Sequence, residues 1–177
     1  MARLDPLTGQ LNRRAFLDGA AEERARAERY NTGIAFLFMD LDHFKRLNDS
    51  YGHDAGDEVL RSFSSLVHER LRSVDTLCRW GGEEFIAMLK NVDRDGTIAA
   101  AERIRRGVET HAFVLPDGRS VHLTVSIGVS HASGSGIEIS EQIKRADEAL
   151  YKAKNRGRNR VEYLENAAGT SSRARAS

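Results

Sequence analysis

The chain has 177 residues, 40% of them hydrophobic and 30% charged, the composition of one soluble globular domain with a real core. Basic and acidic residues balance to a formal net charge of +1, so nothing marks a nucleic-acid binder driven by bulk charge. A single cysteine, Cys78, excludes an intramolecular disulfide framework, and no apolar run is long enough to span a bilayer. No secretion signal is visible, so the expected compartment is the cytoplasm.

Asp5-Pro6-Leu7-Thr8-Gly9 is a turn cluster, and Asn12 is the N-cap expected for the helix that follows. Its buried stripe is expected at Phe16, Ala20, Ala27 and Tyr30, with Glu22, Glu23, Arg24 and Arg26 in solvent. After Asn31-Thr32-Gly33, the run from Ile34 to Met39 is continuously apolar and reads as a central strand buried on both faces. It stops at Asp40-Leu41-Asp42. Carboxylates at the end of a buried strand need a cation, an ion pair or hydrogen-bond donors. Asp42 suits the N-cap of the next short helix, read over 43–49; Asp40 has no such local role and is ranked first as a metal ligand.

Ser50-Tyr51-Gly52 closes that short helix, and His53-Asp54 opens a long one with Val59, Leu60, Phe63, Leu66, Val67 and Leu71 on its buried face. Asp54 is its candidate N-cap and Asp57 is placed in its first turn, where a carboxylate favours the helix dipole. Arg72-Ser73-Val74-Asp75 then leads into Thr76-Leu77-Cys78, and Arg79-Trp80-Gly81-Gly82-Glu83-Glu84 into Phe85-Ile86-Ala87-Met88-Leu89. Gly81-Gly82 between two apolar runs predicts a hairpin with a tight turn, with Glu83 and Glu84 pointing to opposite faces. A loop over 91–95 precedes a helix that buries Ile98, Ala101, Ile104 and Val108. Pro116-Asp117-Gly118-Arg119 is a turn, and the alternation Val121, Leu123, Val125, Ile127, Val129 predicts one strand. The last helix starts near Ser140 and buries Ile143, Ala146, Leu150 and Ala153; its end is rich in cations, Lys152, Lys154, Arg156, Arg158 and Arg160. Gly157 lets the chain turn there, Val161 to Tyr163 forms a short edge strand, and the residues over 166–177 read as a disordered tail.

Taken together, these motifs resemble the GGDEF domain of diguanylate cyclases over roughly residues 4–163. The signature is Gly81-Gly82-Glu83-Glu84-Phe85, in a GGEEF form. It is accompanied by Asp5-Pro6-Leu7-Thr8-Gly9, Asp40-Leu41-Asp42-His43-Phe44-Lys45, Asn48-Asp49, Gly52-His53, Gly56-Asp57, Ser126-Ile127-Gly128, the stretch from Ala149 to Lys154, and Gly157-Arg158-Asn159. A lone Gly-Gly turn is weak; this many motifs in this order is specific. Met39 and Trp80 depart from commoner residues beside the motifs, and neither removes a ligand.

The resemblance implies an α/β fold of the α+β type, similar to the palm of nucleotidyl cyclases and polymerases, with a mixed, largely antiparallel five-stranded sheet. It implies synthesis of cyclic di-GMP from two GTP with release of two pyrophosphates. Asp40 and Glu83, with the backbone carbonyl of Leu41, match the ligands of Mg²⁺ or Mn²⁺, and Glu84 is open between proton removal, a second metal and no direct role. Asn48 and Asp57 match the positions that read guanine, and His53 a residue beside the nucleotide. Lys45, Lys154 and Arg158, with the amides of Phe44 and Lys45, match the phosphate contacts. Arg72, Asp75 and Arg103 match an inhibitory product site. Two GTP must meet, so the implied active species is a homodimer, and an N-terminal sensor or dimerisation module, a membrane sensor being one form of it, is expected in the full-length protein. Neither a nucleic-acid polymer nor membrane contact by this domain is expected. The competing classes are a cyclic di-GMP receptor without turnover and a GTP-binding regulatory domain; the intact Asp40, Glu83 and Lys45 favour catalysis.

Overall fold

The most apolar stretch of the chain occupies the middle of a sheet. The structure, a computed structural model, describes residues 1–164, so the expected tail over 166–177 lies outside the described residues. The elements are α1 (Arg13–Tyr30), β1 (Gly33–Leu41), α2 (Phe44–Tyr51), α3 (His53–Arg70), β2 (Thr76–Gly81), β3 (Glu84–Lys90), α4 (Arg94–Thr110), β4 (Phe113–Val114), β5 (Ser120–Val121), β6 (Val125–Ser133), α5 (Ile139–Asn155) and β7 (Val161–Tyr163). Five strands form one sheet in the order β2-β3-β1-β6-β7. All neighbours are antiparallel except β6 and β7, which are parallel, so the sheet is mixed and largely antiparallel, as expected.

Alternation along β1 and β3 divides the core in two. Leu37, Met39, Leu41, Phe85, Ala87 and Leu89 join Val125, Ile127 and Val129 against α2, α3 and α4. Phe36, Phe38, Cys78, Ile86 and Met88 face α1 and α5 through Phe16, Ala20, Ile143, Ala146 and Leu150. With helices on both faces, β1 has no polar side, which is why its pattern is a run rather than an alternation. Trp80 fills the end of the α1 face, edge-on to Phe16 and Phe38, with the Arg13 guanidinium 4.0 Å from its ring centroid. That stacking gives the unusual residue at this position a packing role.

Asn12 caps α1 as expected, its side chain accepting from the Ala15 amide at 3.0 Å. Several expectations are corrected. Tyr30, the last residue of α1, is exposed, whereas Glu23 is buried and pairs with Lys90 at 3.6 Å. Asp42 is not a helix cap; the residue before α2 is His43 at φ 58°, whose side chain makes no capping hydrogen bond among the described residues. Gly52 precedes α3, which places Asp54 inside its first turn and Asp57 one turn further along. Asp93 caps α4, so the loop before it is shorter than 91–95. Leu71 and Ile98 are only partly buried. The stretch Val121 to Val129 is two strands, not one, because residues 122–124 leave the ladder. The turn between β2 and β3 lies one residue later than expected: Gly81 pairs with Glu84, leaving Gly82 and Glu83 at the tip, with an irregularity between Arg79 and Gly81.

Gly128 faces α5 at the closest approach of helix and sheet. A Cβ there would overlap the Ala146 carbonyl and the Leu150 amide, both backbone groups. Backbone cannot swing aside as a side-chain end can, so the substitution must separate α5 from β6. Gly128→Ala is therefore expected to destabilise the fold by about 1–3 kcal/mol in urea unfolding. An unchanged midpoint would show that the two elements are looser than described.

Candidate functional site

The carboxyl end of β1, the β2–β3 turn, the start of α2 and the end of α5 converge at one edge of the sheet. Asp40 stands opposite Glu84 in the β1–β3 register and opposite Ser126 in β6. By alternation Asp40 follows Phe38, and Glu84 precedes Ile86, on the face covered by α5. Lys154 of α5 reaches the Asp40 carboxylate at 2.6 Å. Burial pushes the Asp40 carboxyl above its ordinary value; Lys154 opposes that shift, and Glu83 and Asp42 add to it. Glu84 is also raised, first by burial and then by the charge of Asp40. Three carboxylates thus crowd one edge with a single lysine in contact.

Asp42, two residues on, has a different fate. It accepts from the Thr124 and Ser126 hydroxyls at 2.6 Å each and from the Asn159 amide at 3.0 Å. Asn159 in turn accepts from Arg105 and donates to Glu109, each at 2.8 Å. Asp42 therefore ties β1 to the start of β6 and to the segment after α5. Its partners are distant in sequence, and local cap rules could not find them.

On the other face, a cleft of about 420 Å³ opens between the hairpin tip, α2 and α3. Phe44, Lys45, Asn48, Asp57 and Glu83 line it. The Asn48 side-chain oxygen is buried against Gly56 of α3 and, among the described residues, has no hydrogen-bond partner, an exception to the usual pairing of buried polar atoms. Glu83 and Glu84 do part, Glu83 into the cleft and Glu84 toward α5. His53 and Arg158 do not line the cleft; both are exposed, and Arg158 lies in the turn after α5 with φ 63°.

The cleft also contains Arg79, which the sequence reading did not select. Its Nε donates to the Gly82 carbonyl at 2.9 Å, and Nη1 lies 3.3 Å from each Asp5 oxygen. Burial raises the Asp5 carboxyl, but the Thr8 hydroxyl and amide and then Arg79 outweigh it and hold it below its ordinary value. The N-terminal turn thus grips the hairpin tip. An arginine directly before the glycines, paired with an acid in a turn cluster, was the available signal.

Arg72, Asp75 and Arg103 lie away from this edge, near the other end of the hairpin. Arg72 donates to Asp75 through Nε at 3.1 Å and Nη2 at 2.9 Å, and to the Lys90 carbonyl at 2.5 Å. Arg103 donates to the Arg70 carbonyl at 3.0 Å.

Among the described residues no three His, Cys, Asp or Glu side chains group so as to hold a metal ion. The donor chemistry nevertheless suits a hard cation that brings part of its own shell. Asp40 and Glu83 are hard oxygen donors in mutual repulsion, and the Leu41 carbonyl is adjacent in sequence. Mg²⁺ commonly takes one or two carboxylates and completes its coordination with water and substrate phosphates.

Fold and cleft define the class: a three-layer domain whose central strand ends in carboxylates beside a cleft lined by Lys45, Arg79, Asn48, Asp57 and Glu83. Comparison with known proteins is specific. The family described as "Diguanylate cyclase, GGDEF domain" matches residues 2–160, and the chain belongs to it. It is 42% identical over 159 residues to diguanylate cyclase DosC of Escherichia coli (strain K12), covering 90% of this chain and 34% of that protein. It is 40% identical over 163 residues to response regulator PleD of Caulobacter vibrioides, covering 91% of this chain and 36% of that protein. The chain thus spans about a third of the length of these relatives. The GGDEF domain of DgcB from Caulobacter crescentus, in complex with c-di-GMP, superposes with TM-score 0.87 at 33% identity, covering 92% of this chain and 96% of that one. Diguanylate cyclase SiaD of Pseudomonas aeruginosa, in complex with its activator SiaC, superposes with TM-score 0.86 at 36% identity, covering 92% of this chain and 62% of that one.

The raised Glu84 carboxyl has a consequence for stability. A group whose folded pKa lies above its unfolded value loses stability as pH rises through the folded value, because the folded state holds the proton more tightly. Glu84→Gln is therefore expected to raise the urea midpoint of the metal-free protein at neutral pH and to leave it unchanged in acid, where the carboxyl is already neutral. A lower midpoint at neutral pH would reveal a stabilising partner for the ionised group.

Proposed function

We propose that this domain condenses two GTP into cyclic di-GMP, releasing two pyrophosphates. The observation that carries the reading is the cleft itself: Asn48, Asp57, Lys45 and Glu83 line it together, with the Asp40 carboxylate at the adjoining sheet edge. Family membership supports it. Guanine offers an N1–H and an N2 amine, which Asp57 and Asn48 accept; adenine lacks that donor pair and would leave a buried acceptor unpaired. Lys45 and the amides of Phe44 and Lys45 bind phosphate at the start of α2. Lys154, now on Asp40, and Arg158, in the turn just after α5, are the remaining cations for the triphosphate.

Asp40, Glu83 and the Leu41 carbonyl would hold Mg²⁺ (or Mn²⁺), which when bound neutralises phosphate charge and acidifies a hydroxyl. Glu84, with its raised carboxyl, is suited to take the proton from the attacking 3′-hydroxyl as the bond to the α-phosphate of the other GTP forms and pyrophosphate leaves. His53, exposed at the first position of α3, lies outside the cleft lining and would stand beside the bound nucleotide. One cleft holds one GTP, so the active species is a homodimer, brought together in the full-length protein by an N-terminal sensor or dimerisation module. Arg72, Asp75 and Arg103 form the product site. Among the described residues no helix is long and apolar enough to cross a membrane, and the domain works in the cytoplasm.

Incubation of the concentrated domain with GTP and Mg²⁺ should yield cyclic di-GMP by mass spectrometry. Glu83→Ala should reduce it at least about a hundredfold, the order seen when one preorganised electrostatic contact is lost. Asp57→Ala should lower kcat/KM for GTP about ten- to a hundredfold, as for a lost hydrogen bond to a charged group. Absence of product from dimeric protein at saturating GTP would replace the enzyme with a receptor.

Arg72→Ala separates regulation from turnover. It should abolish inhibition by added cyclic di-GMP. It should also lower the unfolding midpoint slightly, since Arg72 braces Asp75 and the Lys90 carbonyl. Retained product inhibition would exclude the site.

A further inference from the structure

Helix α2 has two working sides. Phe44, Lys45 and Asn48 face the nucleotide cleft, whereas Arg46, Leu47, Ser50 and Tyr51 line a second cavity, of about 620 Å³, behind it. The opposite wall is the irregular segment His122 to Thr124, the interruption between β5 and β6. A continuous strand through these residues would have a ladder's regular edge; the break lets Leu123 and His122 form a concave wall. The volume lies in the range of pockets that hold small molecules, about 300–1,000 Å³.

The lining has a consistent chemistry. Leu47 is buried, and Val121 and Leu123 are partly buried, giving an apolar floor. Around it stand the exposed side chains of His43, Arg46 and His122. None of these three side chains has a hydrogen bond or ion pair among the described residues. The two acids of the lining are already engaged: Asp42 by two hydroxyls and an amide, Glu109 by Arg105 at 2.9 Å and Asn159 at 2.8 Å. Arg46 is therefore a guanidinium at the rim with no carboxylate in contact among the described residues, while the hydrogen-bonding capacity of Asp42 and Glu109 is taken up elsewhere. An apolar floor beneath an unpaired guanidinium and two imidazoles matches a molecule with a carboxylate or phosphate on a compact apolar body.

We propose that the cavity between α2 and the 122–124 segment is a binding site for a small organic anion, with its charged group at Arg46 and His122 and its body on Leu47, Val121 and Leu123. The site is separate from the nucleotide cleft but shares α2 with it. Its test needs no turnover, so it stands or falls independently of the cyclase activity.

The probe is 2-naphthoate, titrated onto the isotopically labelled full chain and followed by amide chemical shifts. Saturable shifts are expected over 46–51 and 122–124. Arg46→Gln should weaken the affinity at least about fivefold, consistent with loss of a charge-assisted contact, while Lys45→Ala, on the cleft side, should leave it unchanged. Circular dichroism of Arg46→Gln verifies that the variant is folded. The neutral 2-naphthalenemethanol and inorganic phosphate alone should each bind more weakly than naphthoate. The proposal fails if shifts do not saturate, if either control binds as well, or if Lys45→Ala rather than Arg46→Gln weakens binding.

Discussion

Negative charge at the end of a buried strand is the constraint around which this domain is arranged. Asp40 ends the most apolar strand of the sheet, with Glu84 across the ladder, Glu83 at the adjacent turn, and one lysine in contact. Carboxylates brought together and partly desolvated raise one another's proton affinity. Such a cluster persists only where surrounding elements fix it. The hairpin delivers the two glutamates, α5 delivers Lys154, and the Asp42 network locks β1 to β6 and to the segment beyond α5. Asp40 and Asp42 lie two residues apart and do opposite work. The first faces the edge in an ion pair with the mobile end of a lysine side chain; the second is held by two hydroxyls and an amide and joins three segments.

The β2–β3 hairpin is held at both ends by arginines. At the tip Arg79 spans the Gly82 carbonyl and Asp5; at the base Arg72 spans Asp75 and the Lys90 carbonyl, and Lys90 also meets Glu23 of α1. The element that carries Glu83 and Glu84 is thereby tied to the N-terminal turn and to α1. The proposed product site sits at the base, so a ligand that drew Arg72 away from Asp75 would release one of the two ties. A physical route then exists from that site to the carboxylates: six and seven residues of paired strand.

Much of this was legible in the sequence, and for definite reasons. Ile34 to Met39 read as a central strand because only a strand covered on both faces dispenses with polar positions. Asn12 read as a cap because capping is local. The hairpin followed from its glycines, although only Gly82 takes a positive φ, at 50°, and the tip falls on Gly82-Glu83. What was not legible depends on contacts distant in sequence. Asp42 looked like a cap because its true partners lie more than 80 residues away. Glu23 looked solvated because Lys90 belongs to another element. Periodicity carried the strand from Val121 to Val129 through residues that leave the ladder, because apolar alternation reports which side faces the core and not whether a neighbour is hydrogen-bonded. The roles of Asn48, Asp57 and Lys45 came from family resemblance; the cleft shows them side by side.

Cys78 brings out a property of the sheet edge. The segment around Leu11 lies along β2, donating to the Leu77 carbonyl at 3.2 Å and accepting from the Arg79 amide at 3.1 Å, and it covers the strand on which Cys78 sits. The thiol is fully buried, and burial pushes it up to about 12. A thiolate is the reactive form, so in the closed molecule this sulfur is chemically silent. It is also the only one of its kind in the chain. Alkylation of the native protein therefore counts excursions in which the edge opens, and its rate is a clock for the breathing of the segment whose Asp5 steadies the hairpin tip.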